Sequence, residues 1–196
     1  CIMNLEIYKV PIYKNYFIDD ISYNMLSIIL CICMLISGII GSVYGNKYSL
    51  YIIQETNNRY NLFKLGFFVS FIYLISNVLS INVQFGLLSC IVSLFIALLC
   101  ISFLTLLNSN ILITSIPNDC ISYSTSICLL VIHLGGDMPS PIITSILWDY
   151  IGNLIYAIEI SQISSLIAIF IYIYSYFKVK HRATSLNLFK KLIVEV

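Results

Sequence analysis

The chain has 196 residues, 60% apolar and only 10% charged, with a net charge of +1 and a mean hydropathy of +0.96. Water-soluble domains run at about 45–50% apolar and about 25% charged, so this chain lacks the charge to coat a water-facing surface, and a bilayer is its natural solvent. Its ten Lys and Arg form no basic stripe along a helix face, which argues against a nucleic-acid partner.

A spanning helix needs about 20 mostly apolar residues, and the chain offers about five such stretches. Residues 1–22 hold Glu6, Lys9, Lys14, Asp19 and Asp20 and read as the end of an earlier helix plus its loop. The first span is expected over 23–43, followed by a polar stretch over 46–61 with Lys47, Glu55 and Arg59. A second span is expected over 62–81, entered by Lys64, and a short polar turn over 82–84 closes it. The third runs over 85–116 and is long enough to require tilt; Asn108, Ser109 and Asn110 lie deep in it, where bonding between helices is the first expectation and cavity lining the second. After the turn at Pro117, Asn118 and Asp119, a fourth span is expected over 120–148 and a fifth over 154–177, the latter carrying Glu159. Trp148 and Tyr150 suit an interfacial belt. Residues 178–196, with Lys178, Lys180, His181, Arg182, Lys190 and Lys191, form a basic tail.

The positive-inside rule places that tail in the cytoplasm. Five crossings counted back from it put 46–61 on the same side, where Lys47 and Arg59 agree, while the opposite turns at 82–84 and 149–153 contain no Lys or Arg. Most of the seven cysteines lie within apolar runs, where a thiol packs as a small hydrophobe; Cys31 and Cys33 match neither a redox nor a zinc spacing. No phosphate-cradling loop, metal cluster or enzyme site is expected, and no cofactor.

Chemistry is expected where ionisable groups meet a broken backbone. His133 and Asp137 are four residues apart on one helical face, near the middle of the fourth span. Such groups are costly at that depth and usually face a cavity, a proton path or a substrate. Gly135, Gly136, Pro139 and Pro141 interrupt the same segment, and broken helices near the midplane are where secondary transporters place their sites. The plainer reading has Asp137 capping or kinking the helix and His133 bonding a neighbour. Glu159 joins this cavity or pairs near the outer surface, with the two readings evenly weighted.

The run His133-Leu134-Gly135-Gly136-Asp137-Met138-Pro139-Ser140-Pro141, with Asp149 eight residues on, resembles the spinster family of the major facilitator superfamily. His133, Leu134, Gly136, Asp137, Ser140, Pro141 and Asp149 match the family's penultimate-helix pattern at identical spacing. Gly38, Gly41 and Gly45, followed by Lys47, resemble the superfamily's loop motif between helices, although small residues at such intervals also serve ordinary helix packing. Ser115-Ile116-Pro117 resembles the family's Val-Ile-Pro, but Asn118, Asp119 and Cys120 stand where an arginine pair usually follows that proline, and Thr144 or Ser145 replaces the glycine after Ser-Pro.

The resemblance implies an all-α polytopic membrane protein, the last five helices of a twelve-helix transporter, in a plasma or endolysosomal (vacuolar) membrane. It also implies export or efflux of lysophospholipids, sphingolipids or related amphiphiles, with proton coupling as one expectation. Asp137 would carry the charge in the cavity, His133 would share it, and Gly136 with Ser140 and Pro141 would supply the break. The expected partners are the lipid bilayer, a small amphiphilic or lipid substrate, and an N-terminal half of the same transporter, since the chain begins at Cys1 rather than Met. A non-transporting membrane scaffold is the competing reading. A transporter of the same superfamily for a sugar, peptide or drug is a third.

Overall fold

The computed structural model describes residues 12–13, 17, 23–56, 60–134 and 139–194. Among these the chain is helical throughout: α1 (Tyr23–Thr56), α2 (Tyr60–Ile81), α3 (Leu87–Ser115), α4 (Ile121–Ile132), α5 (Pro139–Ile151), α6 (Leu154–Ser161) and α7 (Ile163–Val194), with short 3-10 turns at Val83–Phe85 and Asn118–Cys120. Four helical stretches are long and apolar enough to cross a membrane: Asn24–Glu55, Tyr60–Ile81, Leu87–Ser115 and Leu154–Arg182, the last formed by α6 and the first part of α7.

The helix ends follow local chemistry. Ile116 is extended, at φ −119° and ψ 144°, because the residue before a proline is pushed out of the helical region; Pro117 therefore ends α3. Gly152 takes φ +72° and its N–H bonds the Trp148 carbonyl at 2.7 Å, a left-handed stop that favours glycine. Asn153 then caps α6, its Oδ1 accepting from the Ile155 N–H at 2.9 Å.

Two boundaries differ from the sequence expectation. α1 runs on to Thr56, so most of the polar stretch after Asn46 is helix rather than loop. Nothing from Asn46 to Thr56 breaks a helix, and charge alone does not end one. Likewise α7 carries the helix through the basic tail to Val194. The expected fourth span is divided: α4 ends in a π-type turn at His133 and Leu134, and α5 starts at Pro139. Even so, the chain changes ends of the bundle there. Asn110, late in α3, bonds Asn46 and Ser49 late in α1, whereas Leu154, Ile155 and Ile158 at the start of α6 pack with Ile81, Cys90 and Leu94 at the other end.

The centre of the bundle is α3, packed by α1 on one side and α2 on the other, with α7 against α2. Accordingly 56% of its most apolar window is buried, against 22% for α1. The α1–α3 seam runs along small residues at every fourth position of α1: Ser37, Gly41, Gly45 and Ser49, all buried. A Cβ on Gly41 would stand 2.5 Å from the Leu99 carbonyl oxygen, and one on Gly45 would stand 2.7 Å from that of Phe103. Small residues let helix backbones approach this closely, which is how helices associate where the solvent is lipid. Gly38, Gly41 and Gly45 thus lie within a helix, not in a loop, and only the last two meet α3.

Polarity is inverted relative to a soluble bundle. Ser70, Ser76, Asn77, Ser80, Ser93 and Ser102 are buried, while Phe71, Ile72, Ile75, Val78 and Phe170 are exposed. Exposed apolar surface on this scale is untenable in water and is the expected exterior in lipid. Two of these serines bond back to their own helices, Ser80 Oγ to the Asn77 carbonyl at 2.7 Å and Ser102 Oγ to the Leu98 carbonyl at 3.1 Å. This is a helical integral membrane protein.

Candidate functional site

Between α2, α3 and α7 lies a pocket of about 180 Å³, open to the bundle surface beside Thr105 and Asn108, whose wall includes Ser70, Tyr73, Thr105, Asn108, Ser165 and Tyr172. Its depth follows from the helix lengths. The arithmetic midpoints of the spans 60–81, 87–115 and 154–182 fall at Ser70, Ile101 and Ala168, and all three residues line the cavity. A mainly apolar chamber with a few polar groups at its edge therefore sits halfway across the apolar thickness.

Its polar groups are held in defined ways. Tyr172 donates its hydroxyl to Asn108 Oδ1 at 2.6 Å, tying α7 to α3. Gly66 makes this possible, since a Cβ there would run into the Tyr172 ring; the missing side chain lets α2 lie close beside it. Asn77 bonds Tyr73 Oη one turn along α2. Thr105 donates to the Ile101 carbonyl at 2.9 Å and Ser165 to the Gln162 carbonyl at 2.6 Å. Among the described residues two buried groups lack a partner: the Ser70 hydroxyl and the side-chain amide of Gln162. An unpartnered buried hydroxyl costs about 1–3 kcal/mol, so Ser70, whose residue lines the chamber, is where a water or a ligand polar atom gains most.

Of the ionisable and helix-breaking residues singled out in the sequence, none that the structure describes lines this chamber. His133 is exposed at the end of α4, a helix with no buried residue. Gly135, Gly136 and Asp137 lie outside the described residues. Pro139, Ser140 and Pro141 form the first turn of α5, where a proline's missing N–H leaves no helical bond unmade, so the two prolines start a helix. Glu159 is exposed on α6. Neither His133 nor Glu159 lines the chamber. Asn108 fills both roles anticipated for it, bonding another helix and lining a cavity. Asn110 ties α3 to α1, but Ser109 only bonds the Thr105 carbonyl of its own helix at 3.0 Å.

Sequence reasoning missed Tyr172, Gly66 and Ser70. In a chain with 15 Tyr one more tyrosine in an apolar run carries no signal by itself. Small residues at Gly66 and Ser70, four apart on α2, were the one legible hint of a close approach. Among the described residues no group of three His, Cys, Asp or Glu is placed to hold a metal ion. The chain matches no family model, no curated protein and no solved structure.

Proposed function

We propose that the protein is part of a secondary transporter, of the major facilitator type that the run from His133 to Pro141 resembles, moving a lysophospholipid, a sphingolipid or a related amphiphile. The observation that carries this reading is the pocket, mainly apolar but edged by Ser70, Asn108 and Tyr172, where the midpoints of three spans converge, because transporters bind substrate and coupling ions near the midplane. At about 180 Å³ the chamber is smaller than the roughly 300 Å³ at which pockets take a whole small molecule. In this conformation it suits a headgroup fragment or a few waters, and alternating access would widen it by moving α7 against α2 and α3. Ser70, Asn108 and Tyr172 would meet the polar part of the cargo. Asp137 would carry the titrating charge, with His133 one turn back sharing it.

The test is flux. The full-length gene product is reconstituted in vesicles and a fluorescent lysophospholipid is followed with and without a pH gradient. Gradient-driven movement is expected, and Asp137→Asn is expected to abolish it or its pH dependence while insertion stays normal. A correctly inserted protein that moves no lysolipid refutes the substrate class, and movement of a sugar or peptide instead would reassign it. Asp137→Asn transporting at the wild-type rate with an unchanged pH profile would refute the site.

A further inference from the structure

A second recess lies away from the chamber, at the end of the bundle where α2 begins and the last span ends. It is a groove of about 220 Å³ between α2 and α7, lined by Lys64, Phe67, Phe68, Ile173, Tyr176 and Phe177. Five of the six residues are apolar or aromatic, and the sixth is a cation. The two helices meet there through Tyr60 and Tyr176, whose rings stand edge to face at 5.8 Å; within α7 Tyr176 also stands edge to face with Phe177 at 5.3 Å.

A second cation flanks the same ring. The Lys180 ammonium lies 3.4 Å from Tyr176 Oη and 5.5 Å from its ring centre. Lys178 covers Tyr174 in the same way at 5.4 Å, on the other side of α7, and Arg182 follows on the exposed surface. Among the described residues no acidic side chain lines the groove, and Lys64 makes no hydrogen bond or ion pair. An apolar slot open toward the bilayer therefore ends at a rim carrying at least two positive charges, with tyrosines at the level where aromatic side chains meet lipid headgroups.

The geometry points to a binding site for one anionic glycerophospholipid of the adjoining leaflet. Its acyl chain lies along Phe67, Phe68, Ile173 and Phe177, and its phosphate sits between Lys64 and Lys180. Basic pockets between membrane helices on the positively charged side take acidic headgroups in this way. The apolar slot selects a lipid over a soluble phosphate. Because it joins the start of α2 to the end of the last span, a bound lipid would brace α7 against α2, the same pair that flanks the central chamber. The site does not depend on the transport reading, since it requires only that the helices sit in a membrane.

Native mass spectrometry of the full-length protein in detergent reads the site directly. Titrated with phosphatidylglycerol and with phosphatidylcholine, the wild-type protein is expected to retain one phosphatidylglycerol preferentially. Lys64→Gln and Lys180→Gln should each weaken that retention about five-fold, equivalent to about 1 kcal/mol per basic side chain near a membrane surface, and leave phosphatidylcholine unchanged. Both lysines are exposed, so neither change threatens folding. Phe67→Ala with Phe177→Ala should weaken both lipids alike. Equal retention of the two lipids by the wild type overturns the proposal, as does a phosphatidylglycerol preference that survives the double lysine change. Displacement of the lipid by inorganic phosphate alone would overturn the choice of a leaflet lipid as occupant.

Discussion

Three glycines on one face of α1 offer a matched experiment on how the bundle is held together. Gly38, Gly41 and Gly45 share the same helix, yet a Cβ on Gly38 meets nothing within 4 Å. On Gly41 it meets the Leu99 carbonyl oxygen at 2.5 Å and Ser102 Cβ at 2.8 Å, and on Gly45 the Phe103 carbonyl oxygen at 2.7 Å. Backbone oxygens inside α3 cannot swing aside as a side-chain tip can, so the two helices must separate. Glycine within a helix costs roughly 0.5–1 kcal/mol relative to alanine, so Gly38→Ala is expected to leave stability unchanged or raise it by up to that amount. At Gly41 and Gly45 the same gain is opposed by overpacking, typically about 1–3 kcal/mol, and by the loss of close contact along the Ser37–Ser49 seam. The net expectation is a loss of about 1–2 kcal/mol at each, with the Gly38 variant at least about 1 kcal/mol above both. Thermal unfolding of the purified full-length protein in detergent, followed with a thiol-reactive dye that reports exposure of the buried Cys90 and Cys100, ranks the three variants. If Gly38→Ala is as damaging as Gly41→Ala, or if both seam variants match wild type, the α1–α3 seam does not rest on close backbone approach and the packing argument fails.

Two further outcomes follow from the geometry. Tyr172→Phe and Asn108→Leu should couple in a double-mutant cycle by about 0.6 kcal/mol and no more than about 1.7, the range measured between membrane helices, while Gly66→Ala, by displacing the Tyr172 ring, should erase that coupling; additive single effects would show that the 2.6 Å bond does not form. For sidedness, single cysteines at Glu55 and Lys180 should label from the same, cytoplasmic face and one at Gln84 from the other, and opposite labelling of Glu55 and Lys180 would overturn the helix order along the membrane normal.

Much of the fold was legible because lipid imposes a coarse rule: every span must be long, apolar and internally hydrogen-bonded. The spans over 62–81 and near 85–116 match α2 and α3 closely because Pro117 and the polar turn at 82–84 end them chemically. The end of the first span was not legible, because a polar sequence leaving the membrane is free to remain helical, as α1 does to Thr56. The stretch over 120–148 read as one span interrupted by glycines and prolines; its described residues form α4 and α5, with 135–138 outside the described residues.

The candidate sites divide along the same line. Charge drew attention to His133, Asp137 and Glu159, since ionisable groups are conspicuous in an apolar run, yet His133 and Glu159 lie on exposed surface in the described bundle. The chamber is built instead from Ser70, Tyr73, Asn108 and Tyr172, neutral residues that ordinary helix packing also uses. By itself the sequence determined the solvent, the helical class and the concentration of positive charge at one end, because these depend on composition and on order along the chain. Only the tertiary structure decided which small residues form the α1–α3 seam and which polar groups meet at mid-depth. Those depend on the rotation of each helix about its axis, which is set by contacts between segments far apart in the chain, as for Asn108 with Tyr172 and Gly66 with Tyr172. No local period in the chain encodes them.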